Sequence, residues 1–414
     1  MYGITREVSG MTPEGTNLFP LIRAIFWGTP VPAADRTTFE EMKAHGIHVL
    51  AAPLLNQMSL PEDVCREWDR AIVTRIGQYM RYVRAQASLP VTVPYVILKG
   101  TSAAQYYPHP EYRAMGDIDI MTGHGDFQAA CGALLQAGFE EKTNVLYIER
   151  ARHREFEKAG LEVEVHSFYG LRNSAEEVRA LDELVISHIG PSHVLPDLVN
   201  GLTLIEHVNH HMESGLGLRQ VLDWMMFVDR CLPDEQWPAF QEMARKTGHE
   251  RLAVVTTRMC ELYLGLPEHR WCASADPAVC GELMAYILSC GNFGRKHRYE
   301  QFSSEQILST GARSWKGTFR LLRKRGSANW EAARKHEFLR RFSWIYQAGR
   351  YLLKGIGRKD AWRKLKTEMA ESRRRNALFD AIGIAREYKG TAFYVDGEYL
   401  KTDEAGRVIR NARK

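Results

Sequence analysis

Asp117-Ile118-Asp119 sets two carboxylates two residues apart, with Ile118 and Ile120 between and after them. On a strand, alternate side chains share a face, so both acids project one way while both isoleucines enter a core. Carboxylates held side by side repel, and a divalent cation such as magnesium relieves the repulsion. The ordinary alternative is a solvated polar strand face. Leu161-Glu162-Val163-Glu164-Val165-His166 repeats the alternation further on. It supplies a third carboxylate, best filled by Glu164 with Glu162 as the alternative, to close a metal site and take a proton from an incoming hydroxyl. Upstream, Tyr95–Leu98 runs into Lys99-Gly100-Thr101-Ser102, a glycine turn with hydroxyls, and then a short helix over Ala103–Tyr107. N–H groups at a helix start lack intrahelical partners and can receive an anion, although capping by Thr101 or Ser102 is their commoner use. Arg113, in the loop before the aspartates, offers a bidentate fork for phosphate oxygens.

The elements that must position these residues follow from periodicity. Residues 92–99 read as a buried strand, Gly116–Met121 as a half-buried one, and Asp126–Ala137 as a helix closed by Gly138. Val145–Ile148, Arg154–Phe156 and Leu161–His166 add strands, the last two a hairpin about Lys158-Ala159-Gly160. Before this α/β core, Pro61-Glu62-Asp63 opens a helix. Its apolar positions are Val64, Trp68, Ile72, Ile76, Met80 and Val83. From Pro196 to about Glu387 the pattern is helical, with segments Asp197–Met212, Leu218–Cys231, Asp234–Thr247 and Arg251–Leu264. In the tail, Asp396-Gly397 between two short β-prone runs signals a hairpin.

The chain has 414 residues, 45% of them apolar, 25% charged and 10% aromatic, which excludes collagen-like and wholly disordered classes. No apolar run reaches the roughly 18 residues of a transmembrane helix, and Met1–Val8 has no apolar leader core. Seven cysteines, scattered singly from Cys65 to Cys290, suit reduced thiols in a cytoplasm. Gly311–Asn376 carries 20 Lys/Arg against 5 Asp/Glu, net +15, so the rest of this +5 chain totals about −10. Such a segment is either a solvated helical face or a docking surface for RNA or an anionic membrane.

A glycine–hydroxyl turn at a helix start, an Asp-x-Asp strand and a later acidic strand together resemble the nucleotidyltransferase superfamily with the DNA polymerase β palm. More narrowly, ILKGTSAAQYYPHPEYRAMGDIDIMT followed by LEVEVHSFYG is similar to the bacterial uncharacterised nucleotidyltransferase family. The resemblance is close over about residues 90–170 and looser to about 310. It implies an α+β fold: a palm of mixed sheet with flanking helices, plus largely helical N- and C-terminal regions. It further implies that Gly100, Thr101 and Ser102 bind nucleotide phosphates, that Lys99 and Arg113 neutralise triphosphate charge, and that Asp117 and Asp119 hold Mg2+. Glu164 stands where relatives usually have Asp. The reaction implied moves a nucleoside monophosphate from an NTP, on two magnesium ions, to an acceptor hydroxyl or amine, releasing pyrophosphate. The acceptor is a small molecule, or else tRNA or a protein in a toxin-like role served by residues 311–376; a degenerate, nucleotide-binding scaffold is the non-enzymatic alternative.

The expected division is 1–88 helical, 89–190 palm, 191–310 a helical acceptor-side domain, 311–383 a basic helical region and 384–414 a hairpin tail. His207 and His211, four apart, have a spacing that zinc sites use, but read better as a polar helix face opposite the palm. His153 and His166 read as ordinary hydrogen-bonded histidines, with contact to substrate as the functional alternative. Arg219 and Asp223 read as an intrahelical ion pair, with substrate positioning as the functional alternative.

Overall fold

The computed structural model describes residues 16–143, 152–170, 175–212 and 215–292 continuously, and 319–384 and 392–409 in parts. The expected strand Val145–Ile148 and much of Gly311–Asn376 lie outside the described residues. Contacts divide the chain into two units, one of Met1–Lys296 with Ile382–Lys414 and one of His297–Ala381.

The first unit opens with α1 (Leu18–Trp27), α2 (Arg36–Ala44), a 3-10 stretch at His48–Gln57, and α3 (Glu62–Ala87). In α3, Val64, Trp68 and Ile72 are buried as their spacing predicts, but Met80 is 46% exposed. The buried stripe continues instead through Tyr79 to Tyr82, whose hydroxyl donates to the Gly116 carbonyl at 2.5 Å and ties the helix to the loop before the aspartates.

The palm follows: β1 (Tyr95–Leu98), α4 (Gly100–Ala104), β2 (Ile118–Thr122), α5 (Phe127–Gln136), β3 (Glu140–Glu141), β4 (His153–Lys158) and β5 (Leu161–His166). These strands form one sheet in the order β1-β2-β5-β4-β3. Only β2 and β5 run parallel, so the fold is α+β with a mixed sheet. The β4–β5 hairpin turns on Ala159 and Gly160, both with positive φ, as a tight turn between right-twisted strands requires. Ile118, Ile120, Val163, Val165 and Phe156 pack with Phe127 and Leu134 of α5 and Tyr82 of α3 into one core. One face of the sheet is thereby used up on packing, and the alternate residues of β2 and β5 are left on the other. The short helix expected at Ala103–Tyr107 begins earlier, directly at Gly100.

Six helices complete the described part of this unit before its tail: α6 (Ala175–Ser187), α7 (Asp197–His211), α8 (Leu218–Cys231), α9 (Trp237–Lys246), α10 (Glu250–Met259) and α11 (Pro277–Cys290). α7 and α8 approach closely because Gly201 has no side chain; a Cβ there would run into the Phe227 ring. The segment expected to be helical to Leu264 widens into a π turn at Cys260–Leu264 and stops at Gly265, φ +85°. In the tail, β6 (Ala392–Val395) pairs antiparallel with β7 (Glu398–Thr402), and β7 with β8 (Val408–Ile409); Asp396-Gly397 lie outside the described residues. The second unit contributes helices Glu331–Lys335, Glu337–Arg340 and Ser343–Gly355 among the described residues. No helix among the described residues is long and apolar enough to cross a membrane.

Candidate active site

β2 and β5 lie parallel in a register that sets Asp119 directly beside Glu164, with Asp117 at the residue before β2. One carboxylate oxygen from each of Asp117, Asp119 and Glu164 lies within 4.8 Å of the others. Asp119 is buried and Glu164 a quarter exposed, so the cluster runs from the sheet up into a cleft. Lys99, at the end of β1, donates from Nζ to Asp119 Oδ1 at 2.7 Å, and His166 Nε2 lies 2.8 Å from the same oxygen. Asp119 Oδ2 is buried with no hydrogen-bond partner.

Three acids so close must share protons or cations. Burial, and then the neighbouring Asp119 charge, push the Asp117 carboxyl up to about 7. Burial also works to raise Glu164, but the His166 hydrogen bond and the Lys99 charge outweigh it and hold this carboxyl well below the usual range. Burial likewise pulls Lys99 down; the three carboxylates outweigh it and keep the ammonium charged. Lys99 adopts φ +52°, a conformation uncommon for a residue with a Cβ. Gly100, at φ +39°, starts α4 against Met115 Cε, which a Cβ would meet at 3.1 Å.

The cleft above the acids has a volume of about 240 Å³. Its palm side is lined by Lys99, Gly100, Asp117 and Glu164, joined by Arg113 and by Arg152-His153 at the start of β4. The facing wall is His207, His210 and His211 of α7 with Arg219 of α8. His207 and His211 face each other, Nε2 to Nε2, at 3.1 Å, and burial together with His211 drives His207 far below its ordinary value. The α7 histidine face therefore lines the cleft opposite the palm. Burial and the neighbouring Arg113 lower Arg219 to about 10, and its Nη1 donates to the Ala114 carbonyl at 3.4 Å.

Several of the expected residues are engaged by neighbours within the fold. The Thr101 hydroxyl donates to Gln86 Oε1 at 2.8 Å, and Ser102 Oγ to Asn200 Oδ1 at 2.6 Å. Both hydroxyls brace α4 against neighbouring helices, which leaves Gly100 as the part of that turn lining the cleft. Arg113 also lines the cleft, but its fork is closed on Asp223: Nε to Oδ1 at 3.0 Å and Nη2 to Oδ2 at 2.6 Å, with the Tyr107 hydroxyl on Oδ1 at 2.9 Å. Asp223 thus ion-pairs across the palm–helix boundary with Arg113, while its charge also acts on Arg219 one turn back along α8. His153 and His166 are hydrogen-bonded histidines as expected, on Glu155 and Asp119, and both also stand beside Glu164 of the acid cluster. Arg152 was invisible in the sequence, since no spacing rule singles out one arginine among several.

A mixed sheet carrying three convergent acids beside a glycine-started helix, under a cationic cleft, has the make-up of a nucleotidyltransferase palm. Residues 35–265, more than half of the chain, match the family described as uncharacterised nucleotidyltransferase, and the chain belongs to that family. No curated protein and no solved structure matches the chain.

Proposed function

We propose that this cleft transfers a nucleoside monophosphate from an NTP to an acceptor hydroxyl or amine and releases pyrophosphate. The observation that carries the reading is that carboxylate oxygens of Asp117, Asp119 and Glu164 lie within 4.8 Å of one another at the floor of the cleft, which Asp117 and Glu164 line. Their donor set suits magnesium: three hard carboxylates, one with a buried oxygen lacking any hydrogen-bond partner. When bound there, Mg2+ supplies charge neutralisation between the reacting oxygens and the α-phosphate. Glu164, held ionised so far below neutral pH, is a poor proton acceptor, which favours a ligand's role over a general base's.

The chain's own cations do the rest. Lys99 lines the cleft beside the acids, as do Arg219 and Arg152, a distribution that suits a polyphosphate and the charge building on pyrophosphate. Gly100 allows backbone to approach a phosphate without a Cβ between them. Thr101 and Ser102 serve this reading by fixing α4, and Arg113 by fixing α8 over the palm. A degenerate scaffold would have no need to keep three acids within reach of one ion, so the spacing favours a working enzyme.

For the acceptor, the +15 segment favours RNA over a small molecule, with toxin-like modification of tRNA as the specific form. An anionic membrane surface is the competing partner for residues 311–376. Seven free cysteines support a reducing, cytoplasmic setting. The deciding experiment incubates the protein with each α-labelled NTP, Mg2+ and total cellular RNA, small molecules or protein. Label entering one fraction with wild type and none with Asp117→Asn supports the reading. Equal labelling by both proteins overturns it.

A further inference from the structure

We infer that the cleft holds a second, nitrogen-rich metal site, built from His153, Glu164 and His166, that takes a borderline transition ion such as Mn2+ or Co2+ in preference to Mg2+. The β4–β5 register pairs His153 directly with His166, so the two rings rise from neighbouring strands on one face, their centroids 5.2 Å apart. Glu164, two residues before His166, shares that face. A ring nitrogen of each histidine and a carboxylate oxygen of Glu164 lie within 4.8 Å of one another.

In both rings Nε2 is already engaged by a carboxylate: that of His153 lies 3.1 Å from Glu155 Oε1, and that of His166 lies 2.8 Å from Asp119 Oδ1 and 3.4 Å from Glu164 Oε2, the contact a bound ion would replace by turning the Glu164 carboxylate. In both, Nδ1 is buried with no hydrogen-bond partner. A neutral imidazole that donates through one nitrogen keeps a lone pair on the other, and metal-binding histidines are oriented by such carboxylates. A buried lone pair with no donor costs free energy that a bound cation would recover. Two imidazoles with one carboxylate suit manganese, cobalt or zinc, whereas magnesium takes oxygen. Glu164 belongs to both groups, so the cleft offers two adjoining positions of unequal ligand hardness.

The test is Co2+ titration of the full-length, chelator-treated protein, followed by its visible absorption, for wild type, His153→Gln and Asp117→Asn. His153 reaches the surface, which makes its replacement tolerable to the fold. Expected are at least a tenfold loss of Co2+ affinity in His153→Gln and a change within about threefold in Asp117→Asn. Independently of any variant, the Mn2+-loaded wild type should show nitrogen modulation of its electron spin echo. Equal Co2+ affinity in wild type and His153→Gln, no Co2+ spectrum, or a Mn2+ echo without nitrogen would each overturn the inference. Because only ion binding is read, failure here leaves nucleotidyl transfer standing, and loss of RNA labelling leaves this site standing.

Discussion

At the scale of residues, the site is a balance of charges in which Asp117 and Asp119 play unequal parts. Repulsion alone treats the two aspartates alike and predicts relief when either is neutralised. The hydrogen bonds separate them. Asp119 is the counter-ion of Lys99 and the partner of His166, while Asp117 meets a cost of burial and of the Asp119 charge. Asp117→Asn should therefore keep or raise the melting temperature while abolishing transfer. Asp119→Asn should abolish transfer and also lose roughly 3 kcal/mol of stability, since it removes the one carboxylate hydrogen-bonded to the buried Lys99 ammonium, leaving only the more distant charges of Glu164 and Asp117. Paired thermal melts and labelling assays distinguish the two. Arg219→Ala should raise KM for the NTP roughly tenfold or more, the worth of one charge-assisted contact, with a smaller fall in kcat; Arg219→Lys should recover part of it. An unchanged KM would remove Arg219 from phosphate binding.

Among elements, the decisive contacts are those that fasten the helices to the palm. The Arg113–Asp223–Tyr107 group joins the loop before β2 to α8, and Ser102–Asn200 joins α4 to α7. A third fastening sits on α6, where Asp182 accepts the Tyr169 N–H at 2.9 Å while its other oxygen is buried without a partner. Burial pushes this carboxyl up to about 8. The sign follows from proton linkage. The folded state keeps a proton that the unfolded chain releases near pH 4, so stability falls as pH rises from about 4 through about 8 and is not regained above it. Asp182→Asn keeps the acceptor for Tyr169 and cannot ionise. Its melting temperature relative to wild type should be near parity at pH 5 and clearly higher at pH 9. A difference that shrinks as pH rises would show that Asp182 is not buried in its neutral form.

Over the whole molecule, charge is divided between a mildly acidic remainder and the strongly basic 311–376 segment. If that segment engages RNA, the logarithm of affinity should fall linearly with the logarithm of salt concentration. Arg373→Gln with Arg374→Gln should flatten that slope by roughly 1 to 2 units, given about 0.7–0.9 per phosphate contact. The same slope in both proteins would assign those arginines to a solvated face.

What the sequence determined by itself was local. Period-two alternation sent Asp117, Asp119 and Glu164 to the face opposite Ile118, Ile120, Val163 and Val165, because successive side chains on a strand have no other choice. Helix periodicity likewise placed α7 and α8, and even the α7 histidine face. The tertiary structure alone decided which groups meet across elements. Arg113 was available to a phosphate until packing delivered Asp223, 110 residues away, into its fork. Thr101 and Ser102 were free to face an anion until Gln86 and Asn200 arrived, and His153 had no link to His166 until β4 paired with β5. Such meetings depend on how whole elements pack, and no local spacing encodes a partner that distant.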